Sequence, residues 1–211
     1  MLDALARRYL DRPLSHVARL VDRPQVSPNR LTMLGLVAGL ASAGAAAGQL
    51  WWWALGLWWF SRVMDGLDGP LARRRRATGH GITDASRGAG GFLDITADFV
   101  VYGTTVVGVA IGATGQYDVA WLPFLLVLLA YYVNGTAFLA FSSIAERTGR
   151  QREDGRSLSF LRGLAEGTET IFVHSVWLVF PAHAEVIAAA WAVVVGVSAA
   201  QRILAGFRDL S

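Results

Sequence analysis

Apolar residues along this chain gather into long runs of about twenty, the length at which a helix crosses the hydrocarbon core of a bilayer, and not into the one-sided stripes of a soluble helix. Six runs predict six membrane spans, at residues 31–48, 50–72, 90–112, 119–144, 160–180 and 184–207. Ser27 and Pro28 supply a helix start before the first run, an N-cap hydroxyl followed by a proline where no amide hydrogen is needed. Gly35, Gly39, Ala43 and Ala47 recur every fourth residue there, a small-residue face suited to close helix contact.

Residues 1–25 follow another pattern. Leu2, Leu5, Leu10, Leu14, Val17 and Val21 are scattered among charges, so no signal-peptide core forms. The segment reads as an amphipathic helix on the membrane surface, apolar residues toward lipid and arginines toward water; a helical cap packed on the bundle is the alternative. The expected architecture is an all-α integral membrane protein, with a juxtamembrane segment at 1–25 and a six-helix membrane domain at 26–211.

Composition and charge narrow this further. Hydrophobic residues make up 54% of the 211, which leaves no other stretch polar enough for a soluble domain. All 19 basic residues are arginine, and the alternation of spans puts them on or near one side, while the connections GATGQYD and PAHAE carry none. By the positive-inside rule both termini and the two arginine-rich loops are cytoplasmic. Basic charge ringing an apolar domain matches anionic lipid, not nucleic acid. Five of the eight tryptophans fall between Trp51 and Trp59 and are expected to anchor the outer interface. His174 and His183, single and near the outer side, read as structural. The absence of cysteine excludes disulfides, thiolate metal sites and a cysteine nucleophile.

The stretch MDGLDGPLAR, residues 64–73, breaks the apolar rule. If the second span ends near Arg73, Asp65 lies eight residues inside it, about 12 Å at the helical rise. Asp65 and Asp68 are i, i+3 and share a helix face; in GGFLDITADF, Asp94 and Asp98 are i, i+4 and share another. Two antiparallel helices would bring four carboxylates to one depth, where they cannot stay unneutralised. Arg62 and Arg73 could pair with one or two. All-oxygen sets otherwise suit hard divalent cations, Mg²⁺ or Mn²⁺ above all, and two ions would balance four charges. Gly66, Gly69, Gly90 and Gly91 leave room beside the carboxylates for a ligand or a backbone.

Asp65-x2-Asp68-Gly69-x2-Ala72-Arg73 followed by Gly90-x3-Asp94-x3-Asp98 resembles the signature of the CDP-alcohol phosphotransferases, membrane enzymes of phospholipid synthesis. All eight signature residues are present, and the SPNRLT lead-in to the first span is similar as well. One departure is the gap between Arg73 and Gly90, longer than usual; a start at Gly81 fails because position 85 is alanine. It reads as an extended cytoplasmic loop. The resemblance implies transfer of the phosphoryl-linked group of a CDP-alcohol, usually CDP-diacylglycerol, to a hydroxyl acceptor with release of CMP. It implies that Asp65, Asp68, Asp94 and Asp98 are metal ligands, with Asp98 also the general base. Gly69, Ala72, Arg73 and Gly90 would line the nucleotide and diphosphate site, with Pro28, Asn29 and Thr32 near the cytidine end. A homodimer in the bacterial inner membrane, with its active site toward the cytoplasm, is also implied.

Within the family, GGFLDITADF and the later FLRGLAEGTETI are most similar to a bacterial inner-membrane branch with no assigned acceptor. Glu166 and Glu169, i, i+3 on the fifth span with Arg162 a turn earlier, are expected to bind a hydroxyl-rich acceptor or, alternatively, to tie helices together. Asn134 and Thr136 read as interhelical hydrogen-bond formers. A competing function for the same carboxylates is a cation or proton carrier. Beyond Asp98, however, FVVYGTTVVGVAIG offers a polar route only Tyr102, Thr104 and Thr105.

Overall fold

The computed structural model describes residues 2–23, 25–78, 84–149 and 164–211. Helices α1 (Leu2–Val21), α2 (Pro28–Ala47), α3 (Trp51–Ala77), α4 (Asp84–Tyr117), α5 (Leu122–Arg147), α6 (Gly167–Val179) and α7 (Ala184–Leu210) account for most of them, with a 3₁₀ turn at Pro181–His183 before α7. The helix start read from Ser27 and Pro28 is present: the Ser27 hydroxyl accepts from the Arg30 amide at 3.2 Å, with Pro28 in the first turn.

Among the described residues, four helical stretches are long and apolar enough to cross a membrane by length and composition: Pro28–Ala47, Gly88–Tyr117, Leu122–Arg147 and Pro181–Leu210. Two expected spans differ for separate reasons. Helix α3 is long enough at 27 residues, but Arg62, Asp65, Asp68 and the arginines at its end offset its tryptophans. The described part of α6 is 13 helical residues, and residues 150–163 lie outside the described set. Large apolar side chains such as Val37, Leu125, Leu129, Val186, Val193 and Phe207 point outward on α2, α5 and α7. An apolar surface spread over three helices suits lipid and is unusual for a monomer in water.

The described parts of the extended loop expected between the two halves of the signature are mostly helix. Helix α3 runs one turn past Arg73 to Ala77, and α4 begins at Asp84, six residues before Gly90. Arginine is a good helix former, and Arg74, Arg75 and Arg76 lie in the last turn, where cations oppose the partial negative charge of free carbonyls. Asp22 then pins that turn, accepting from Arg74 Nε at 2.9 Å and Arg75 Nε at 3.0 Å. These two hydrogen bonds, Arg75 first, hold the Asp22 carboxyl below its ordinary value. The second half of α1 is also tied down by packing, with Leu14 and Ala18 against Leu67 and Leu71 of α3 and Leu31 of α2. Leu20 and Val17 stay exposed, and a cavity of about 380 Å³ opens between α1 and α3, lined by Ser15, Arg19, Pro70, Arg73, Arg74, Ala77 and Thr78.

Helix α2 packs along both α3 and α4, and α5 along α7. The small face of α2 explains the first group: Gly35, Gly39 and Ala43 are buried, and a methyl on Gly35 would sit 3.2 Å from the Ser61 carbonyl oxygen. Helix α4 answers with glycines of its own. A methyl on Gly108 would fall inside the radius of the Ala43 carbonyl oxygen, and one on Gly112 inside that of Ala46. Backbone meets backbone there, which brings α4 close enough to α3 to confront the aspartates.

Candidate active site

Asp65 and Asp68 project from α3, and Asp94 and Asp98 from α4; Asp65 feels the charge of both α4 aspartates, Asp68 that of Asp98, and Asp94 that of Asp68. The sequence expectation of four carboxylates on facing helices therefore holds. Their immediate partners differ. Asp68 is buried and accepts a hydrogen bond from the Thr32 hydroxyl of α2 at 2.6 Å. Asp98 accepts from Arg62 Nη1 at 2.6 Å, and the same nitrogen lies 3.7 Å from Asp65 Oδ2. No cation of the described residues comes within ion-pairing distance of Asp68 or Asp94.

Arg62 thus does what one of the two arginines was expected to do, and the structure shows how it is held. Its guanidinium lies between two rings, 5.2 Å from the Trp58 centroid and 5.1 Å from that of Tyr102, an arrangement worth about 2 kcal/mol per desolvated ring. Nη1 also donates to the Tyr102 hydroxyl at 3.3 Å, and Nη2 to Ser61 Oγ at 3.0 Å, which in turn donates to the Gly35 carbonyl at 2.6 Å. Arg73, the other candidate, is exposed at the signature's end and meets none of the four aspartates.

Trp58 departs from the expected interfacial belt. Trp52, Trp53 and Trp59 are exposed, but Trp58 is fully buried because position 58 turns toward α6. Its indole stacks on His174 with centroids 5.0 Å apart and donates to Ser175 Oγ at 3.1 Å. His174 is buried too, with Nε2 2.9 Å from the Tyr131 hydroxyl, which accepts from Trp191 Nε1 at 2.7 Å. These rings form an aromatic floor under Arg62, so His174 packs beneath the carboxylate end of the bundle and not near the outer side. A period-3.6 reading of α3 starting from Asp65 would have placed Trp58, two turns earlier, on the same face.

The remaining signature residues converge on the same end of the bundle. A methyl on Gly90 would meet Asn29 Oδ1 at 3.3 Å, and one on Gly69 would meet Arg73 Nη1 at 3.3 Å. Pro28 is half-buried and its carbonyl lies 3.2 Å from Thr32 Oγ1; Ala72 is half-buried beside Arg73. Asn29 with Gly90 and Thr32 with Asp68 thus tie the start of α2 to α4 and to α3, while Gly69 and Arg73 meet each other on α3 next to Asp68.

The acceptor candidates fare differently. Arg162 lies outside the described residues. Glu166 is not on a helix as expected: it is extended, with φ −115° and ψ −177°, at the residue preceding α6, so the i, i+3 face shared with Glu169 is absent. Helix α6 starts only at Gly167, one residue after Glu166. A cation that the sequence reading missed stands nearby. Arg202 of α7 is buried, its guanidinium 5.6 Å from the Phe138 ring centroid and within the field of Glu166. Its signal was an arginine inside an otherwise apolar span.

Residues 25–198 match the CDP-alcohol phosphatidyltransferase family. The chain belongs to that family. Membership makes it an enzyme of this class, a CDP-alcohol phosphotransferase of phospholipid biosynthesis. The phosphatidyltransferase chain is 37% identical over 178 residues to the inner membrane protein YnjF of Escherichia coli, covering 81% of this chain and 79% of that one. It is 30% identical over 149 residues to an archaetidylinositol phosphate synthase of Pyrococcus horikoshii, covering 68% and 75%. The fold matches two crystal structures of Mycobacterium tuberculosis phosphatidylinositol phosphate synthase. One, with CDP-DAG bound, gives a TM-score of 0.69 at 22% identity over 93% of this chain and 94% of that chain. The other, with manganese and citrate, gives 0.68 at 23% over 92% and 88%.

Whether the phosphatidyltransferase site fits a divalent ion is a question of donors and charge. Among the described residues no three acidic or imidazole side chains converge as they stand to hold an ion, because Asp98 turns to Arg62 and Asp68 to Thr32. The donor set is nonetheless all oxygen, and one guanidinium against four carboxylates leaves a deficit that a hard divalent cation fits.

Proposed function

We propose that this protein is a divalent-cation-dependent phosphotransferase that moves the phosphatidyl group of CDP-diacylglycerol, or of a related CDP-alcohol, to the hydroxyl of a small acceptor. The observation that carries this is the facing of Asp65 and Asp68 by Asp94 and Asp98 with a single cation, Arg62, among them. Asp65, Asp68, Asp94 and Asp98 would hold two Mg²⁺ or Mn²⁺ ions, which when bound screen the diphosphate and stabilise the leaving CMP. Asn29, Thr32, Gly69, Ala72, Arg73 and Gly90, with Pro28 at the start of α2, form the donor's nucleotide and diphosphate contacts. Asp98 takes the acceptor's hydroxyl proton as that oxygen bonds to the lipid-bearing phosphorus and the bond to CMP breaks. Glu166 and Glu169, with Arg162, face the acceptor.

The setting is the bacterial inner membrane. Helices α2 to α7 form six spans below the juxtamembrane segment 1–25, with both termini and the carboxylates toward the cytoplasm, in a homodimer. There the donor's tails stay in lipid while its diphosphate reaches the aspartates. The carrier alternative loses support from Thr104 and Thr105, whose hydroxyls bond back to the carbonyls of Val100 and Val101 and offer no free polar step past Asp98. The test is CMP release from CDP-diacylglycerol with Mg²⁺ or Mn²⁺ and a panel of glycerol phosphates, inositol phosphate, serine and polyols. Asp98→Asn should lower the rate at least about 100-fold with the fold intact. No CMP above background with any acceptor refutes the proposal.

A further inference from the structure

Arg62 is an unusual neighbour for a carboxylate cluster that is to receive metal. Its side chain is 4% exposed, whereas those of Asp65 and Asp98 are 26% and 32% exposed. The buried partner is therefore the cation, and the open side of the carboxylates faces away from it. Its bonds to Asp98, Tyr102 and Ser61 and its place between the rings of Trp58 and Tyr102 leave the guanidinium no second position without breaking several contacts at once. A divalent ion entering between Asp65 and Asp98 meets that fixed positive charge across a single layer of carboxylate oxygens, and two cations at such range in a poorly screened site repel strongly. Charge counting points the same way. Four aspartates and Arg62 sum to −3, so one divalent ion leaves −1 and a second leaves +1, a surplus that a donor diphosphate would reverse.

We propose that Arg62 is a resident counter-cation that weakens divalent binding at the Asp65 and Asp98 side of the cluster until the donor's diphosphate arrives. The second ion and the donor then enter together. Arg62 acts through the two carboxylates and touches no reacting atom, so it is a positioning residue. This inference rests on the metal-dependent reading above.

The test is Mn²⁺ binding by the full chain in lipid nanodiscs, followed through the spectrum of free Mn²⁺, with and without CDP-diacylglycerol. Wild type should bind more Mn²⁺, or bind it more tightly, once the donor is added. Arg62→Gln should bind Mn²⁺ roughly tenfold tighter or better without donor and lose most of the donor-induced gain. Arg62→Lys, which keeps the charge, should stay near wild type. Arg62→Gln with unchanged or weaker affinity overturns the proposal, whereas wild type that binds no Mn²⁺ under either condition overturns the metal-dependent reading and this one with it. Should the glutamine variant be unstable, it is purified in Mn²⁺ and then chelated. Collapse on chelation where wild type survives supports the counter-cation role, and failure to fold in saturating Mn²⁺ refutes it.

Discussion

Thr32→Val removes one hydroxyl and keeps the volume and β-branch of the side chain. The bond it deletes joins α2 to α3, and both ends are inside: Thr32 is 4% exposed and Asp68 8%. Its 2.6 Å length is that of a charge-assisted O–H···O⁻ bond, and such bonds contribute about 1.5–3 kcal/mol net. Losing it leaves Asp68 buried with one donor fewer and free to turn. If Asp68 must be held toward the donor site, kcat/KM for CMP release should fall roughly 10- to 150-fold, the same free energy expressed as a rate. Thr32→Ser, which keeps the hydroxyl, should recover most of it. The assay is CMP release under saturating Mn²⁺, paired with the melting temperature in detergent. A valine variant with wild-type kcat/KM would refute the positioning of Asp68 by Thr32, and a lower melting temperature with unchanged kcat/KM would confine the bond to folding.

Chelation should abolish CMP release and readdition of Mg²⁺ or Mn²⁺ restore it; activity that persists after exhaustive chelation contradicts an all-carboxylate ion site. Gly108→Ala should destabilise the bundle by about 3 kcal/mol or more, since the methyl meets the Ala43 carbonyl and no flexible side chain can yield. Gly103→Ala, with open space around it, should be neutral or stabilise by up to about 1 kcal/mol, read as an unchanged or raised melting temperature; equal effects at the two positions would contradict the close approach of α2 and α4. The Asp22 pair carries a pH signature. Because folding lowers its pKa, the contribution is present above the ordinary value of 3.8 and disappears as pH falls through the lowered one. A spin-label distance between positions 15 and 77 should therefore stay constant from neutral pH down to the ordinary carboxylate range and lengthen only below it. Asp22→Asn should lengthen it at all pH values.

Local periodicity was enough to read much of this protein from its residues. Whether two aspartates share a face depends on spacing along one helix, so Asp65 with Asp68 and Asp94 with Asp98 were legible, as were the Ser27 cap and the small face of α2. Helix boundaries were less so. Residues 74–77 and 84–89 read as loop because they are charged and glycine-spaced, yet both stretches are helix, and Asp22, 52 residues before Arg74, anchors the last turn of α3. Glu166 shows the converse, a carboxylate assigned to a helix that begins only after it.

What the chain determined by itself is the set of charges that must be buried together and the faces that carry them, since those follow from residue type and helical repeat. Which cation answers which carboxylate was decided only in three dimensions. Arg62 and Asp98 are 36 residues apart, and they meet because glycines on α2 and α4 let backbones touch while Trp58 and Tyr102 close around the guanidinium. Pairing across helices depends on interaxial distance and side-chain packing, quantities that no single segment of sequence contains.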